Sequence, residues 1–217
     1  MPFADILNFV YLFFLFFSVL IGLWNYKYID KKVKIIYYLL VATTIWETIG
    51  YILKVLIDRK APVYHFSCVL SLIFVSIYFI KSIEIKNEKN AILFSTLTFT
   101  TIGVIDTLCF ETITQLNSNM LIFRGFVLIA ISLYALYKIF TNDKLDNIYK
   151  NVHFWLWALI LFLYGSSYFF WSYIKILSND GMGKYQNILL DIHGLTNVIV
   201  YGGFFLIFSL YPKKFTQ

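Results

Sequence analysis

The chain has 217 residues, of which 60% are hydrophobic, 21% aromatic and only 14% charged, whereas soluble domains carry roughly 45–50% apolar and 25% charged residues. Such a composition excludes a soluble globular domain and reads as a membrane protein, and at about 20 apolar residues per crossing the length holds about six to eight spans with short loops. The net charge of +6 sits mostly on loop lysines and points to membrane orientation, with no nucleic acid as partner.

No separate soluble domain fits beside the spans, so any binding or catalysis has to occur among the helices or in short loops. Cys68 and Cys109 both lie inside apolar runs. They offer neither a disulfide framework nor metal-type spacing and read as two small hydrophobes. Residues 1–5 carry the acid Asp5 instead of a basic leader region, and no small-x-small cleavage site follows. The first apolar run is therefore read as a retained helix.

Seven apolar runs follow one another at roughly 5–25, 35–57, 62–81, 91–111, 119–140, 152–175 and 185–211, each of membrane-crossing length. The polar breaks between them, at 27–34, 58–62, 81–90, 112–118, 141–151 and 177–184, are short and make neighbouring helices antiparallel. Helix-length runs without ten-residue alternation exclude a transmembrane β-barrel. The expected fold class is all-α, a polytopic transmembrane bundle of seven helices forming a single domain over 1–217, embedded in the lipid bilayer.

Orientation follows from the basic residues. The first, third and fifth breaks plus the tail hold twelve: Lys27, Lys31, Lys32, Lys34, Lys81, Lys86, Lys89, Lys138, Lys144, Lys150, Lys213 and Lys214. The other side holds five: Lys54, Arg59, Lys60, Lys175 and Lys184. The positive-inside rule then puts the N-terminus outside and the C-terminus in the cytoplasm. Trp24, Tyr26, Tyr37, Trp155 and Trp157 fall near the inner boundary and Trp171, Tyr173 and Tyr185 near the outer one, an expected pair of aromatic belts.

Ionisable groups inside spans are costly and mark function. In chain order they are Glu47, His65, Asp106, Arg124, Asp191 and His193. At the helical rise, Glu47 lies about 15 Å deep, His193 and Ser167 roughly 12 Å, Asp106 and Arg124 about 7 Å, and His65 shallower. All fall in the outer half, which implies a polar cavity opening outward. Helix two presents Thr43, Thr44, Glu47, Gly50, Tyr51 and Lys54 at helical spacing, and helix seven presents His193, Asn197 and Tyr201. Gly165, Ser166 and Ser167 bring small residues to helix six, where another backbone can approach closely.

The candidate ligand-binding residues are thus Glu47, Tyr51, His65, Asp106, Arg124, Ser166, Ser167, His193 and Asn197. Each has a plainer reading: Arg124 with Glu47 or Asp106 as a structural ion pair, His65 as an interfacial side chain, and the Gly-Ser-Ser stretch as helix packing. His193 beside Asn197 is the strongest single candidate, having a titration range and hydrogen-bond partners.

A metal site draws less support. His and carboxylates of zinc type are present, but no His-x-x-x-His or His-Glu-x-x-His spacing occurs, and neither a metal nor a cofactor is expected. Helix seven lacks a lysine between Gln186 and Tyr211, which excludes a retinal Schiff base. No phosphate loop or nucleophile elbow is present. An internal echo links 63–68 with 191–196, as in a three-plus-one-plus-three repeat.

Trp46-Glu47, Tyr64-His65, Arg124, Phe154-Trp155, Tyr164-Gly165-Ser166-Ser167 and Ile192-His193 with Asn197 resemble, in order, a family of short uncharacterised multi-helix membrane proteins of Bacteroidetes. That resemblance implies a bacterial inner membrane and a shared polar site, and carries no activity. Seven-helix zinc hydrolases such as ceramidases are similar only in helix count and in combining His with carboxylates; their paired His on the last helix has no counterpart. The plan also resembles sensor modules fused to bacterial kinases, although the six residues after Tyr211 leave no output domain.

The expected function is a membrane sensor or binding module. It takes a small polar ligand from the outer side and signals through a separate cytoplasmic or membrane partner. The alternatives are an intramembrane metal-dependent hydrolase and an oligomeric, pore-forming accessory of a defence system.

Overall fold

The computed structural model describes residues 3–57, 61–83, 85–111, 113, 117–141, 147–180 and 183–214, with backbone alone at 177–180, 183–184 and 212–214. Each apolar run folds as a helix: α1 (Phe3–Trp24), α2 (Val33–Ile57), α3 (Ala61–Ser82), α4 (Lys86–Cys109), α5 (Ser118–Phe140), α6 (Val152–Asp180) and α7 (Gly183–Lys214). All seven are long and apolar enough to cross a membrane, and no strand occurs among the described residues. The protein is a multi-pass membrane protein of all-α class.

Helix ends lie a few residues from those expected, most at the start of α4 and the end of α6. The stretches apolar enough to cross are Val152–Ile176 and Tyr185–Tyr211. Hydropathy marks the lipid-crossing part, whereas backbone hydrogen bonding continues into the interface and sets the true ends. The breaks at 58–62, 81–90, 112–118, 141–151 and 177–184 lie partly outside the described residues.

The chain divides into two compact units, one of residues 1–30 with 125–217 and the other of 31–124. In the first, α1 packs on α7 and α7 on α6. Small residues permit it: Gly194 faces Leu7 and Gly202 faces Phe14. Polar ties then fix the register. Ser18 Oγ lies 2.6 Å from the Phe14 carbonyl of its own helix and 3.2 Å from the Tyr201 carbonyl, Asn25 Nδ2 donates to the Phe208 carbonyl at 2.9 Å, and Asp30 N–H to the Tyr211 hydroxyl at 3.0 Å. In an apolar solvent such groups have no competing water, so each tie selects one register.

Between α5 and α6, Asn147 caps a short 3-10 turn over Ile148–Lys150, and Asn151 Oδ1 accepts the His153 N–H at the start of α6. Trp155 Nε1 donates to the Tyr149 carbonyl at 2.9 Å. Close backbone approach occurs at Gly125, where a Cβ would lie 2.9 Å from Tyr168 Cβ and 3.2 Å from Tyr168 Cα. At Gly165, where the sequence suggested such an approach, a Cβ would meet nothing within 4 Å.

In the second unit α3 is central, packing on α2 and α4. Its buried side chains His65, Cys68, Leu72, Val75 and Phe79 follow three- and four-residue steps. Helix α4 buries only Thr96, Gly103 and Asp106. It exposes Leu93, Phe94, Leu97, Ile102, Val104, Ile105 and Leu108, an apolar surface suited to lipid. Two belt assignments are corrected, because Tyr37 and Trp157 are buried core residues, while Trp24, Trp155, Tyr173 and Tyr185 are exposed.

The expected internal repeat also finds no support. Helix α1 joins α6 and α7 in one unit instead of grouping with α2 and α3.

Candidate functional site

The polar candidates in 31–124 gather where α3 begins, α4 ends and α5 begins. Antiparallel connection brings these three ends to one side of the membrane. Gly103 allows the approach, since Met120 of α5 occupies the space its side chain would take, with Cε 2.7 Å from a would-be Cβ.

Asn117 caps α5: its Oδ1 accepts the Met120 N–H at 3.2 Å, a standard N-cap bond. Because that oxygen is committed to an obligatory backbone donor, the amide nitrogen faces the other way and donates to His65 Nδ1 at 3.0 Å. His65 Nδ1 is therefore an acceptor, and the ring proton of the neutral imidazole resides on Nε2. Thr107 Oγ1 stands 2.8 Å from the same nitrogen and 3.0 Å from the Gly103 carbonyl. His65 is 5% exposed and Asn117 1%. The expectation of an interfacial His65 side chain is thus corrected, since this ring is fixed within the helix junction.

Two carboxylates converge on Asn119. Glu111 accepts the Asn119 N–H at 3.0 Å and the Ser118 hydroxyl, taking up the free donors and partial positive charge of the α5 N-terminus. Asp106 Oδ1 accepts from Asn119 Nδ2 at 3.1 Å. Asp106 is 9% exposed, and its Oδ2 is buried with no hydrogen-bond partner among the described residues.

One turn and a half into α5, Arg124 Nη1 donates to Ser71 Oγ at 3.1 Å. Arg124 and Glu47 both act electrostatically on the Tyr64 hydroxyl, and Arg124 and Glu111 both act on Cys68. Half-buried Glu47 thus shares its neighbourhood with the junction. Beside it, Trp46 stacks on Phe66 with ring centres 6.0 Å apart.

The remaining helix-two face does not form one polar line. Thr43 and Thr44 bond back to the Leu39 and Leu40 carbonyls, and Gly50 packs on Val63. Tyr51 is 63% exposed and lies outside the junction.

Four candidates belong to the other unit. His193 on α7 stacks on Phe170 of α6 at 4.2 Å and 9°, with Trp171 edge-on at 6.3 Å. Its ring is packed among aromatics, not displayed on an open polar face. Asn197 is half-buried. Ser166 Oγ donates to the Leu163 carbonyl at 3.0 Å, and Ser167 is buried.

Thr107, Glu111, Asn117, Asn119 and Ser71 were not among the sequence candidates. The Asn-Ser-Asn start of α5 carried a capping signal, but capping predicts a helix start and not the partner His65, 52 residues away in the chain. Among the described residues no three His, Cys, Asp or Glu side chains are placed to hold a metal ion. The chain matches no known protein family, no curated protein and no solved structure.

Proposed function

We propose that the protein is an integral membrane sensor or binding module whose ligand site is the α3–α4–α5 junction, built on His65, Asp106, Thr107, Asn117 and Asn119. One observation carries this reading: a buried polar cluster holding an incompletely satisfied carboxylate, set in helices otherwise suited to lipid. Burial of such groups costs several kcal/mol unless partners compensate, so an assembly beyond the needs of helix packing favours ligand binding.

The twelve-to-five distribution of basic residues supports an outward-facing junction with the N-terminus outside. The sequence resemblance to the Bacteroidetes family supports a bacterial inner membrane. Because the site lies in the outer half, a separate partner on the cytoplasmic side would carry the signal.

The test is a thermal-unfolding panel of cationic, anionic and neutral small polar molecules on the full chain in lipid nanodiscs, with Thr107→Val alongside wild type. The expected result is at least one stabilising molecule whose effect shrinks in Thr107→Val. A panel in which no molecule stabilises wild type, or none distinguishes the two proteins, refutes the reading.

A further inference from the structure

The Asp106 carboxylate is engaged on one oxygen only. Asn119 Nδ2 holds Oδ1 at 3.1 Å, whereas Oδ2 is buried without a hydrogen-bond partner among the described residues. Simple protonation does not resolve this, because an Oδ2–H would be a buried donor in place of a buried acceptor. The nearby Glu111 is already committed to the α5 N-terminus. The acids Glu47 and Glu111 and the cation Arg124 act on the same α3 side chains among the described residues. A buried carboxylate oxygen is best satisfied by a positively charged hydrogen-bond donor.

Resting on the assignment of the junction as a ligand site, we infer that it binds a primary ammonium group, with Asp106 Oδ2 accepting one N–H.

Three alternatives fit less well. A guanidinium binds best to both oxygens of a carboxylate, and Oδ1 already accepts from Asn119 Nδ2. A quaternary ammonium has no N–H to donate, whereas Asp106 Oδ2 is an acceptor without a donor among the described residues. A hard metal ion needs about six oxygen ligands, and no three candidate acid, His or Cys ligands converge among the described residues.

Depth admits two sources. Asp106 is three residues from the end of α4 at Cys109, or about 5 Å along the helix axis. Both a soluble amine and the headgroup of phosphatidylethanolamine reach that level.

The experiment follows thermal unfolding of the full chain in phosphatidylcholine nanodiscs, with ethanolamine, choline or acetate added, or with part of the lipid replaced by phosphatidylethanolamine. At a hundred times its dissociation constant, a ligand raises the folded-to-unfolded ratio about 100-fold. Stabilisation by ethanolamine but not choline is expected, with affinity falling about 10- to 100-fold in Asp106→Asn. Stabilisation by phosphatidylethanolamine alone, lost in Asp106→Asn, also supports the inference and identifies the headgroup as the source. If Asp106→Asn does not fold, the ethanolamine–choline contrast in wild type decides.

Equal responses to choline and ethanolamine overturn the inference, as does an unchanged response in Asp106→Asn. Stabilisation by acetate alone, diminished in Thr107→Val, overturns the ammonium assignment while the ligand-site reading stands. No response to either amine or to the lipid overturns the inference, and the wider panel then judges the site reading by itself.

Discussion

Replacing Asn117 separates its two roles. Serine is as good an N-cap as asparagine, so Asn117→Ser keeps the bond to the Met120 N–H and removes the amide that donates to His65 Nδ1. Asn117→Ala removes both. The site is 1% exposed, so no bulk water replaces the lost donor, and Asn117→Ser is expected to cost about 1–3 kcal/mol. Loss of the cap adds about 1 kcal/mol, so Asn117→Ala is expected to cost about 2–4 kcal/mol. Equilibrium unfolding in mixed micelles, followed by tryptophan fluorescence, measures both. Nitrogen-15 NMR of the imidazoles supplies an independent readout, with His65 Nδ1 unprotonated and Nε2 protonated in wild type. An Asn117→Ser protein as stable as wild type, or a wild-type ring protonated at Nδ1, refutes the hydrogen-bond assignment and the tautomer with it.

Gly125→Ala is expected to destabilise by about 1–3 kcal/mol, because the new methyl meets Tyr168 backbone and Cβ, which cannot rotate away. Gly165→Ala meets open space and is expected to be neutral or stabilising by up to about 1 kcal/mol; the same unfolding assay compares them, and equal losses would discredit the α5–α6 approach. Arg124→Gln removes the bond to Ser71 and the cation among the junction acids, so a loss of about 3–5 kcal/mol is expected, much of it restored by a second change, Glu47→Gln. Additive losses in that double variant would show that the two charges do not compensate one another. Reporter fusions after Tyr211 are expected to be active on the cytoplasmic side, and periplasmic activity would reverse the orientation.

The sequence determined the class of this protein almost without tertiary information. Crossing a bilayer requires about 20 apolar residues with internally satisfied backbone, so the seven runs could be counted directly, and each forms a helix. It also located the costly residues, since Glu47, His65, Asp106 and Arg124 stand out against apolar neighbours. What it could not determine was their company. Periodicity reports which residues share a face of one helix but not which helix that face meets, so Tyr51 looked as much a part of the site as Glu47. His65 reads as interfacial along α3, and only the return of the chain through α4 and α5 delivers Thr107 and Asn117 to its ring. His193 and His65 look alike in sequence, yet one is stacked on Phe170 and the other is hydrogen-bonded by an amide oriented by a helix cap. The difference arises from which neighbouring helix end arrives at each, a property of packing between segments distant in the chain, where hydrogen-bond geometry decides what composition leaves open.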